Sequence, residues 1–232
     1  MFRRLFVAAL LVVVAGAVQA PVAEAQQSVS FQLGGFFPRS EDGREATDVL
    51  VVNRQYLLFD FSDFNGVTVG GDWSIALGEY FEVVGGVAFY QRTVPAIYEA
   101  WVEENGTEIQ QDLKLRLVPI TAMARILPLG SRRAFQPYVA VGLGIFPWRY
   151  SETGEFVDFA YNNDIYRETY VDTGTSVGPV AAFGARGRLS SSFMLGAEIR
   201  LQWAKGDLSQ DFLGDHIDLG GWNFLSTFSY RF

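Results

Sequence analysis

Hydrophobic and polar residues alternate along most of the chain after residue 25. This period of two is typical of β-strands, and no segment shows a convincing helical stripe. The segment "FMLGAEIRLQWA" (193–204) is the clearest example, because Phe193 and Ile199 fall on one face while Glu198 and Arg200 fall on the other. A strand with one apolar and one charged face borders two different environments.

Eight such segments predict eight strands, at residues 28–37, 66–77, 80–92, 111–126, 136–149, 176–188, 193–204 and 217–232. In the fourth strand, Leu113, Leu115 and Leu117 are expected on the apolar face and Arg125 on the polar face, so a bulge near Pro119 is required. Short turns join strands two and three, four and five, and six and seven, whereas the other connections are long, at 38–65, 93–110, 150–175 and 205–216. Alternating short and long connections indicate an all-β, eight-stranded, antiparallel up-and-down transmembrane β-barrel.

The alternation alone leaves two alternatives for which face is inside. A soluble lipocalin-like barrel or a β-sandwich would bury the apolar face. The polar face, however, mixes charged residues with Gly and Ala, which fits a narrow lumen. Aromatic residues also gather near the short turns (Tyr80, Phe81, Phe135, Phe193, Tyr230, Phe232) and near the long loops (Phe89, Phe146, Trp148, Trp203, Trp222). Two aromatic girdles are typical of two membrane interfaces, so we expect the apolar face to contact lipid.

The N-terminus has the pattern of a secretory signal peptide. Two arginines precede a 14-residue apolar stretch, and Ala23 and Ala25 form an A-x-A cleavage site. An uncleaved anchor is the alternative, but this stretch is shorter than the roughly 20 residues that cross a bilayer. We therefore expect a cleaved signal peptide over residues 1–25 and a single barrel domain over residues 26–232.

Charge and cysteine content narrow the function further. Cleavage would remove two arginines and one glutamate and leave 16 basic and 25 acidic side chains, a balance that argues against nucleic-acid binding. The chain has no cysteine, so neither a disulfide framework nor a lipid-anchored cysteine is available. It ends on "LSTFSYRF" without a polar tail. In lipid every backbone polar group must be paired, so we expect this last strand to close the barrel against the first.

Four segments carry a resemblance to a known family: "LRLVPITAMARILP" (115–128), "QPYVAVGLGIF" (136–146), "GPVAAFGARGRLSSSFMLGAEIRL" (178–201) and "DLGGWNFLSTFSYRF" (218–232). They resemble the outer-membrane β-barrel family that includes the OmpA membrane domain, OmpX and OmpW. The resemblance implies a monomer in the outer membrane of a Gram-negative type bacterium, in contact with outer-membrane lipid and lipopolysaccharide, with short periplasmic turns, long extracellular loops and both termini periplasmic.

In that family the last strand is the signal that the barrel-assembly machinery reads. The resemblance carries this role to alternate residues of the predicted eighth strand, namely Phe224, Phe228, Tyr230 and the terminal Phe232, whereas Ser226 departs from the pattern. The barrel-assembly machinery is therefore an expected partner during biogenesis.

An eight-stranded barrel has an interior that side chains can fill. The predicted luminal charges are Asp72, Glu82, Arg92, Lys114, Arg116, Arg125, Arg186, Arg188, Glu198, Arg200 and Arg231. An arginine-lined anion path is one interpretation. A salt-bridged plug is favoured, because unpaired charges in a tight interior are costly.

The long loops leave several alternatives open. Residues 48–64 are unusually apolar for a loop and could extend the barrel wall, form a lid or line a groove, of which the wall is favoured. The loops are also acidic, but no fixed spacing of calcium or magnesium ligands is present, so solvated charge is favoured and no metal or cofactor is expected.

Three functions follow from these features. A non-enzymatic structural or surface-interaction protein is the first. An OmpW-like carrier or narrow channel for small hydrophobic molecules, with Tyr90, Phe146 and Trp148 near its opening, is the alternative. A lipid A-modifying enzyme using His216, Asp215, Asp218 and Ser209 is the least supported, because a single histidine among loop carboxylates is usually just solvated.

Overall fold

A computed structural model describes residues 26–103, 106–158 and 163–232. Its strands are β1 (Gln27–Pro38), β2 (Leu57–Leu58), β3 (Gly66–Ala76), β4 (Phe81–Val102), β5 (Glu108–Leu117), β6 (Ile120–Ile126), β7 (Phe135–Asp158), β8 (Asp164–Arg188), β9 (Phe193–Gln202), β10 (Lys205–Asp207), β11 (His216–Asp218) and β12 (Gly221–Arg231). One α-helix, α1 (Val49–Asn53), and two 3-10 turns (Glu41–Gly43 and Phe61–Phe64) lie between β1 and β3. The predicted signal peptide, with Ala23 and Ala25, lies outside the described residues.

Eight antiparallel strand positions, which we call walls, form a closed ring. Their order is β1, β3, β4, β5 together with β6 as one wall, β7, β8, β9 and β12. The ring closes where β1 pairs with β12, from Ser28 opposite Arg231 to Pro38 opposite Gly221. Gln27 and Phe232 then exchange two backbone hydrogen bonds, of 3.2 and 3.0 Å. The predicted eight-stranded antiparallel barrel and its closure are confirmed.

A band of exposed apolar side chains surrounds the part of the barrel nearest the short turns. Val177 and Val141 are 67% and 66% exposed. The outward aromatic residues at the turn end are Tyr80, Phe81, Phe135, Phe193, Tyr230 and Phe232, and those toward the long loops include Phe89, Trp203 and Trp222. A continuous apolar surface of this extent requires an apolar surrounding medium. No helix in the described residues is long and apolar enough to cross a membrane.

Two residues predicted for the aromatic girdle near the long loops do not belong to it. Phe146 and Trp148 point into the barrel and are buried. They occupy even positions of β7, whose outward positions, such as Leu143 and Ile145, are odd. Their aromatic character was therefore misleading, and the phase of the strand decides where they lie.

Strands β4, β7 and β8 continue far beyond their predicted ends and occupy most of the predicted loops 93–110 and 150–175. The polarity of their two faces reverses in this region. Val94, Ala96 and Tyr98 of β4 are buried inside, whereas Arg149 and Thr153 of β7 are exposed outside. The outward apolar residues end there, whereas the strands continue. Strand ends that were predicted from the outward apolar residues are therefore too early.

The predicted bulge near Pro119 is wrong. Leu117 pairs with Tyr90, and Ile120 pairs with Val87, so equal numbers of residues oppose each other across the gap. Strands β5 and β6 are thus one continuous wall in one register. Pro119 interrupts only the ladder of hydrogen bonds, because it has no N–H group.

Because the phase does not change, the leucine face of β5 points inward. Leu113, Leu115 and Leu117 are fully buried, and Lys114 and Arg116 are exposed on the outer wall. The prediction that Lys114 and Arg116 are luminal is therefore wrong. The error followed from assigning the leucines to the lipid, although this part of the wall lies beyond the apolar band.

The long-loop end holds a hydrophobic core that is separate from the apolar band. We call it the long-loop core. Its larger members are Phe36, Val49, Leu50, Leu57, Phe59, Phe61, Phe64, Tyr90, Tyr98, Ile109, Leu113, Leu115, Leu117, Trp148, Tyr150, Phe212, Ile217 and Leu219. It joins the walls β4, β5 and β7 to the segments 38–65 and 205–219.

Residues 48–64 act mainly as the lid of this core. Helix α1 buries Val49 and Leu50, and the second 3-10 turn buries Phe61 and Phe64. Only Leu57–Leu58 extends the wall, by pairing with β4. The favoured wall interpretation therefore holds for two residues, and the lid interpretation accounts for the remainder.

A buried aspartate fixes the lid in position. The Asp48 side chain caps α1 by accepting a hydrogen bond of 3.0 Å from the backbone N–H of Leu50. It also accepts one of 2.9 Å from Arg44 and one of 2.6 Å from the backbone N–H of Asp218. One carboxylate thus joins the first long connection to the last.

The reversal of the two faces predicts effects of very different size at adjacent positions. We expect Leu115→Ala to lower the free energy of unfolding by about 2–5 kcal/mol, because it leaves a cavity in the long-loop core. Lys114→Ala should change it by less than about 0.5 kcal/mol, because Lys114 is exposed. Urea unfolding of the protein in detergent micelles, followed by tryptophan fluorescence, measures both. Equal losses at the two positions would contradict the inward placement of the leucines.

Candidate functional site

The lumen beside the apolar band contains a network of six charged side chains. Its members are Asp72, Glu82, Arg125, Arg186, Glu198 and Arg200, each almost completely buried. Arg125 lies 3.2 Å from Glu82 and 3.4 Å from Glu198. Arg200 lies 3.0 Å from Asp72 and 2.7 Å from Glu198, and Arg186 pairs with Glu82. Three arginines and three carboxylates therefore neutralise one another inside the barrel.

Uncharged side chains also take part in this network. The Tyr138 hydroxyl donates a hydrogen bond of 2.9 Å to Glu198, and the Arg125 guanidinium stacks 4.2 Å from the Tyr138 ring centroid. Gln32 donates to Asp72 at 2.5 Å, and Gln136 accepts from Arg186 at 2.9 Å. Gln32, Gln136 and Tyr138 were not among the predicted luminal charges, because they carry no charge, although each occupies a polar-face position of its strand.

Three further predicted charges lie at the ends of the lumen. Arg231 is buried and donates to the backbone carbonyl of Ser131 at 3.2 Å. Arg188 is exposed at the turn end and reaches the carbonyl of Arg132 at 3.3 Å. Arg92 is exposed and donates to the carbonyl of Asp63 at 2.7 Å. Arg188 and Arg92 were wrongly assigned to the network, because their long side chains reach the adjoining loops instead.

Side chains fill the lumen around this network. Val84, Met123, Phe146 and Val180 form a buried apolar layer. A cavity of only about 10 Å³ lies beside Arg200, a volume close to the minimum that holds one water molecule. At Gly86 a Cβ atom would lie 2.1 Å from Asp72 Oδ1, so a larger residue there would have to displace the side chain of Asp72.

A second cavity, of about 130 Å³, opens at the long-loop end, and we call it the tyrosine cavity. Its aromatic lining consists of Tyr56, Tyr98, Phe156, Tyr166 and Tyr170, and its polar lining consists of Asn53, Gln111, Glu152 and Asp211. Glu152 is only 6% exposed, and burial raises the pKa of its carboxyl group. The sequence predicted a surface loop at Glu152, because "SETGE" (151–155) has no apolar pattern that would indicate burial.

A cationic patch occupies the outer wall directly beyond the apolar band, on the long-loop side. Lys114, Arg116 and Arg149 line a shallow groove there with Gln91 and Ser151. Arg116 lies directly opposite Arg149 on the paired strands β5 and β7. Within the part of the chain that the structure describes, none of these three cations forms an ion pair.

The residues considered for catalysis are not brought together. His216 is buried beside Thr47, at 3.4 Å, and Glu45, at 3.9 Å. The hydroxyl of Ser209 contacts Asp211, and its backbone N–H donates to Asp172. Among the described residues, no group of three or more His, Cys, Asp or Glu side chains is placed to hold a metal ion.

Sequence comparison decides the family. The sequence model of the outer membrane protein beta-barrel domain matches residues 6–232, which is nearly the whole chain. The chain belongs to this outer-membrane β-barrel family. Membership places the protein in the outer membrane, so the exposed apolar band is the surface of the outer-membrane barrel that contacts lipid. Comparison with curated protein sequences gives no match.

Solved structures similar to this outer-membrane barrel include three bacterial proteins. Ail of Yersinia pestis, solved with the heparin analogue sucrose octasulfate, has 13% identity and a TM-score of 0.45, with 90% of this chain and 99% of that chain covered. The N-terminal domain of Pseudomonas aeruginosa OprF has 12% identity and a TM-score of 0.43, with 90% and 100% covered. Outer membrane protein W of E. coli has 15% identity and a TM-score of 0.40, with 91% and 100% covered.

Proposed function

We propose that this outer-membrane barrel is a non-enzymatic protein with a structural or surface-interaction role and a lumen plugged by side chains. The observation that carries the proposal is the luminal network, in which three arginines and three carboxylates pair at distances of 3.4 Å or less. A permeating ion would have to separate these buried pairs, and removing one partner from such a pair costs about 3–5 kcal/mol. The plug therefore favours a barrier over a channel.

The alternative functions have less support. Phe146 and Trp148, which we considered for the opening of a carrier, are packed inside the barrel, and Tyr90 is buried with them. The contacts of His216 and Ser209 give no nucleophile–base pair of the kind that an acyl hydrolase uses.

The plug can be tested by recording currents across planar bilayers. We expect the full chain, folded in detergent and inserted into the bilayer, to give no unitary conductance above baseline. A 16-stranded porin inserted in the same way is the positive control. The barrel is verified as folded when the unheated sample migrates differently in a gel from the heated sample. Steady unitary steps from the wild-type barrel would overturn the plug.

We also propose that the long-loop end faces the cell exterior, with both termini in the periplasm, and that the cationic patch binds lipopolysaccharide. Lys114, Arg116 and Arg149 lie at the edge of the lipid-facing band, where the phosphate groups of an outer-leaflet glycolipid would be found. Guanidinium groups form strong, charge-assisted hydrogen bonds with phosphate. These cations are unpaired among the described residues, which leaves them available to such a ligand.

Lipopolysaccharide that copurifies with the barrel measures this contact. We expect Lys114→Gln combined with Arg116→Gln to reduce the copurified amount at least about threefold, because two charge-assisted contacts are lost. Arg132→Gln combined with Arg133→Gln removes the same charge from the turn end and should leave the amount unchanged. A loss in the control pair, or no loss in the test pair, would contradict the proposed orientation and contact.

The last strand is proposed to serve as the signal for the barrel-assembly machinery. The outward residues Phe224, Phe228, Tyr230 and Phe232 form an exposed row that only Ser226 interrupts, and a binding partner could contact this row before the ring closes. A Gram-negative type of bacterium as the source is implied by the family resemblance. The same resemblance is the basis for proposing that the protein is a monomer.

Deletion of Phe232 separates assembly from stability. It removes one exposed ring and two terminal backbone hydrogen bonds, so we expect only a small decrease in the denaturant midpoint of barrels that do fold. The yield in the outer-membrane fraction should fall severalfold if the residue is part of the assembly signal. Phe135→Ala, which removes an exposed turn-end ring from β7, is the control. Normal yield of the deleted chain would count against the proposed signal.

A further inference from the structure

The tyrosine cavity has the dimensions of a site for one small molecule. Its volume of about 130 Å³ approaches that of an engineered protein cavity of roughly 150 Å³ that binds benzene. The described lining comes from α1, from strands β2, β4, β5, β7 and β8, and from the segments that contain Tyr56 and Asp211. It is separate from the luminal plug and from the cationic patch.

Glu152 gives this cavity an unusual electrostatic character. Its Oε1 atom accepts hydrogen bonds from Asn53 at 2.5 Å and from Tyr150 at 2.8 Å. Oε2 accepts no hydrogen bond from the described residues. The described lining also includes no Lys, Arg or His, and its other acidic member, Asp211, is exposed at the rim. The carboxylate therefore lacks a protein counter-ion, which is costly for a buried charge.

Aromatic rings surround the remaining space. Phe156 stacks on Tyr166 with ring centroids 5.7 Å apart and meets Tyr170 edge-on at 4.9 Å. The hydroxyl groups of Tyr166 and Tyr170 are 3.0 Å apart, which holds the two rings together. The faces of such rings attract organic cations, and several rings around one space are the usual recognition element for alkylated ammonium groups.

We propose that the tyrosine cavity binds a small organic monocation of the alkylammonium class. The ammonium group lies against Oε2 of Glu152 and supplies the missing counter-ion. Its alkyl groups contact Tyr98, Phe156 and Tyr170. The inference depends on neither the plug nor the orientation of the barrel, because the lining of this cavity shares no residue with the luminal network or the cationic patch.

The site should respond to pH in one direction. Burial raises the pKa of Glu152, so the neutral carboxyl group is favoured in the empty cavity at low pH. Asn53 and Tyr150 donate hydrogen bonds to it, and the other titratable groups that line the cavity are Tyr56, Tyr98, Tyr166, Tyr170 and Asp211. Burial also raises the pKa values of Tyr98 and Tyr150, so these hydroxyl groups stay neutral. Affinity for a cation should therefore increase as the pH rises through the raised pKa of Glu152.

Binding of choline tests the proposal, with its uncharged isostere 3,3-dimethylbutan-1-ol as the matched ligand. Isothermal titration of the full chain in non-ionic detergent should show saturable choline binding that is at least about tenfold tighter than binding of the isostere. Glu152→Gln should weaken choline binding about tenfold or more and change binding of the isostere by less than about twofold. Glu155→Gln removes a charge from the same strand outside the cavity lining and should have no effect.

Two further measurements keep the test independent of folding defects. Tyr170→Leu leaves the carboxylate in place but removes a ring, so it should weaken choline binding severalfold while the protein retains the gel migration of the folded barrel. Wild-type affinity for choline should decrease as the pH is lowered through the raised pKa of Glu152, whereas the Glu152→Gln variant should show no such change. The absence of saturable choline binding, equal affinity for the two ligands, or wild-type affinity in the Glu152→Gln variant would overturn the proposal.

Discussion

The pairing of every backbone N–H and C=O group within the lipid is the constraint on which the rest of the structure depends. Hydrocarbon offers these groups no hydrogen-bond partner, so a sheet is tolerated there only as a closed ring. The closure between β1 and β12, completed by the exchange of bonds between Gln27 and Phe232, satisfies this constraint. With eight walls, closure also sets a narrow lumen, so side chains must fill it.

The contents of the lumen follow from the same constraint. Because the outer face is apolar, the alternate residues bring charges inside, where water cannot solvate them fully. Arg125 illustrates how this cost is offset, since it contacts two carboxylates and the ring of Tyr138 at once. In a shared network, each side chain loses its conformational entropy once but forms several contacts. The partners also polarise one another in a low-dielectric interior.

The sequence predicted the parts of the fold that local alternation determines. The eight strands and the closing pair were accessible, because lipid imposes a strict period of two, whereas the predicted loops 93–110 and 150–175 are largely strand. Alternation could not decide which face of β5 is inside, since leucines every second residue fit either lipid or a core. Lys114 and Arg116 were misplaced for that reason. The assumption that apolar residues always face outward failed where the strands leave the apolar band.

The sites depended on contacts that are remote in sequence. Asp72 meets Arg200 across 128 residues, and Glu152 meets Asn53 across 99. Polar alternation assigned Asp72 and Arg200 to the lumen, but not to each other. Glu152 is buried where Asn53 of α1 contacts it, and the local sequence "SETGE" does not indicate that contact.

The reversal of polarity along β7 has a consequence for how the sequence can change over evolutionary time. On the turn side of Pro147, outward positions such as Leu143 are restricted to residues that dissolve in lipid, and on the far side outward positions such as Thr153 are free to vary among polar residues. In the same strand, apolar residues are therefore required on the outer face on one side of Pro147 and on the inner face on the other side. Mutational drift in one half does not relax the requirement in the other, and a displacement of the strand by a single residue would violate both requirements together.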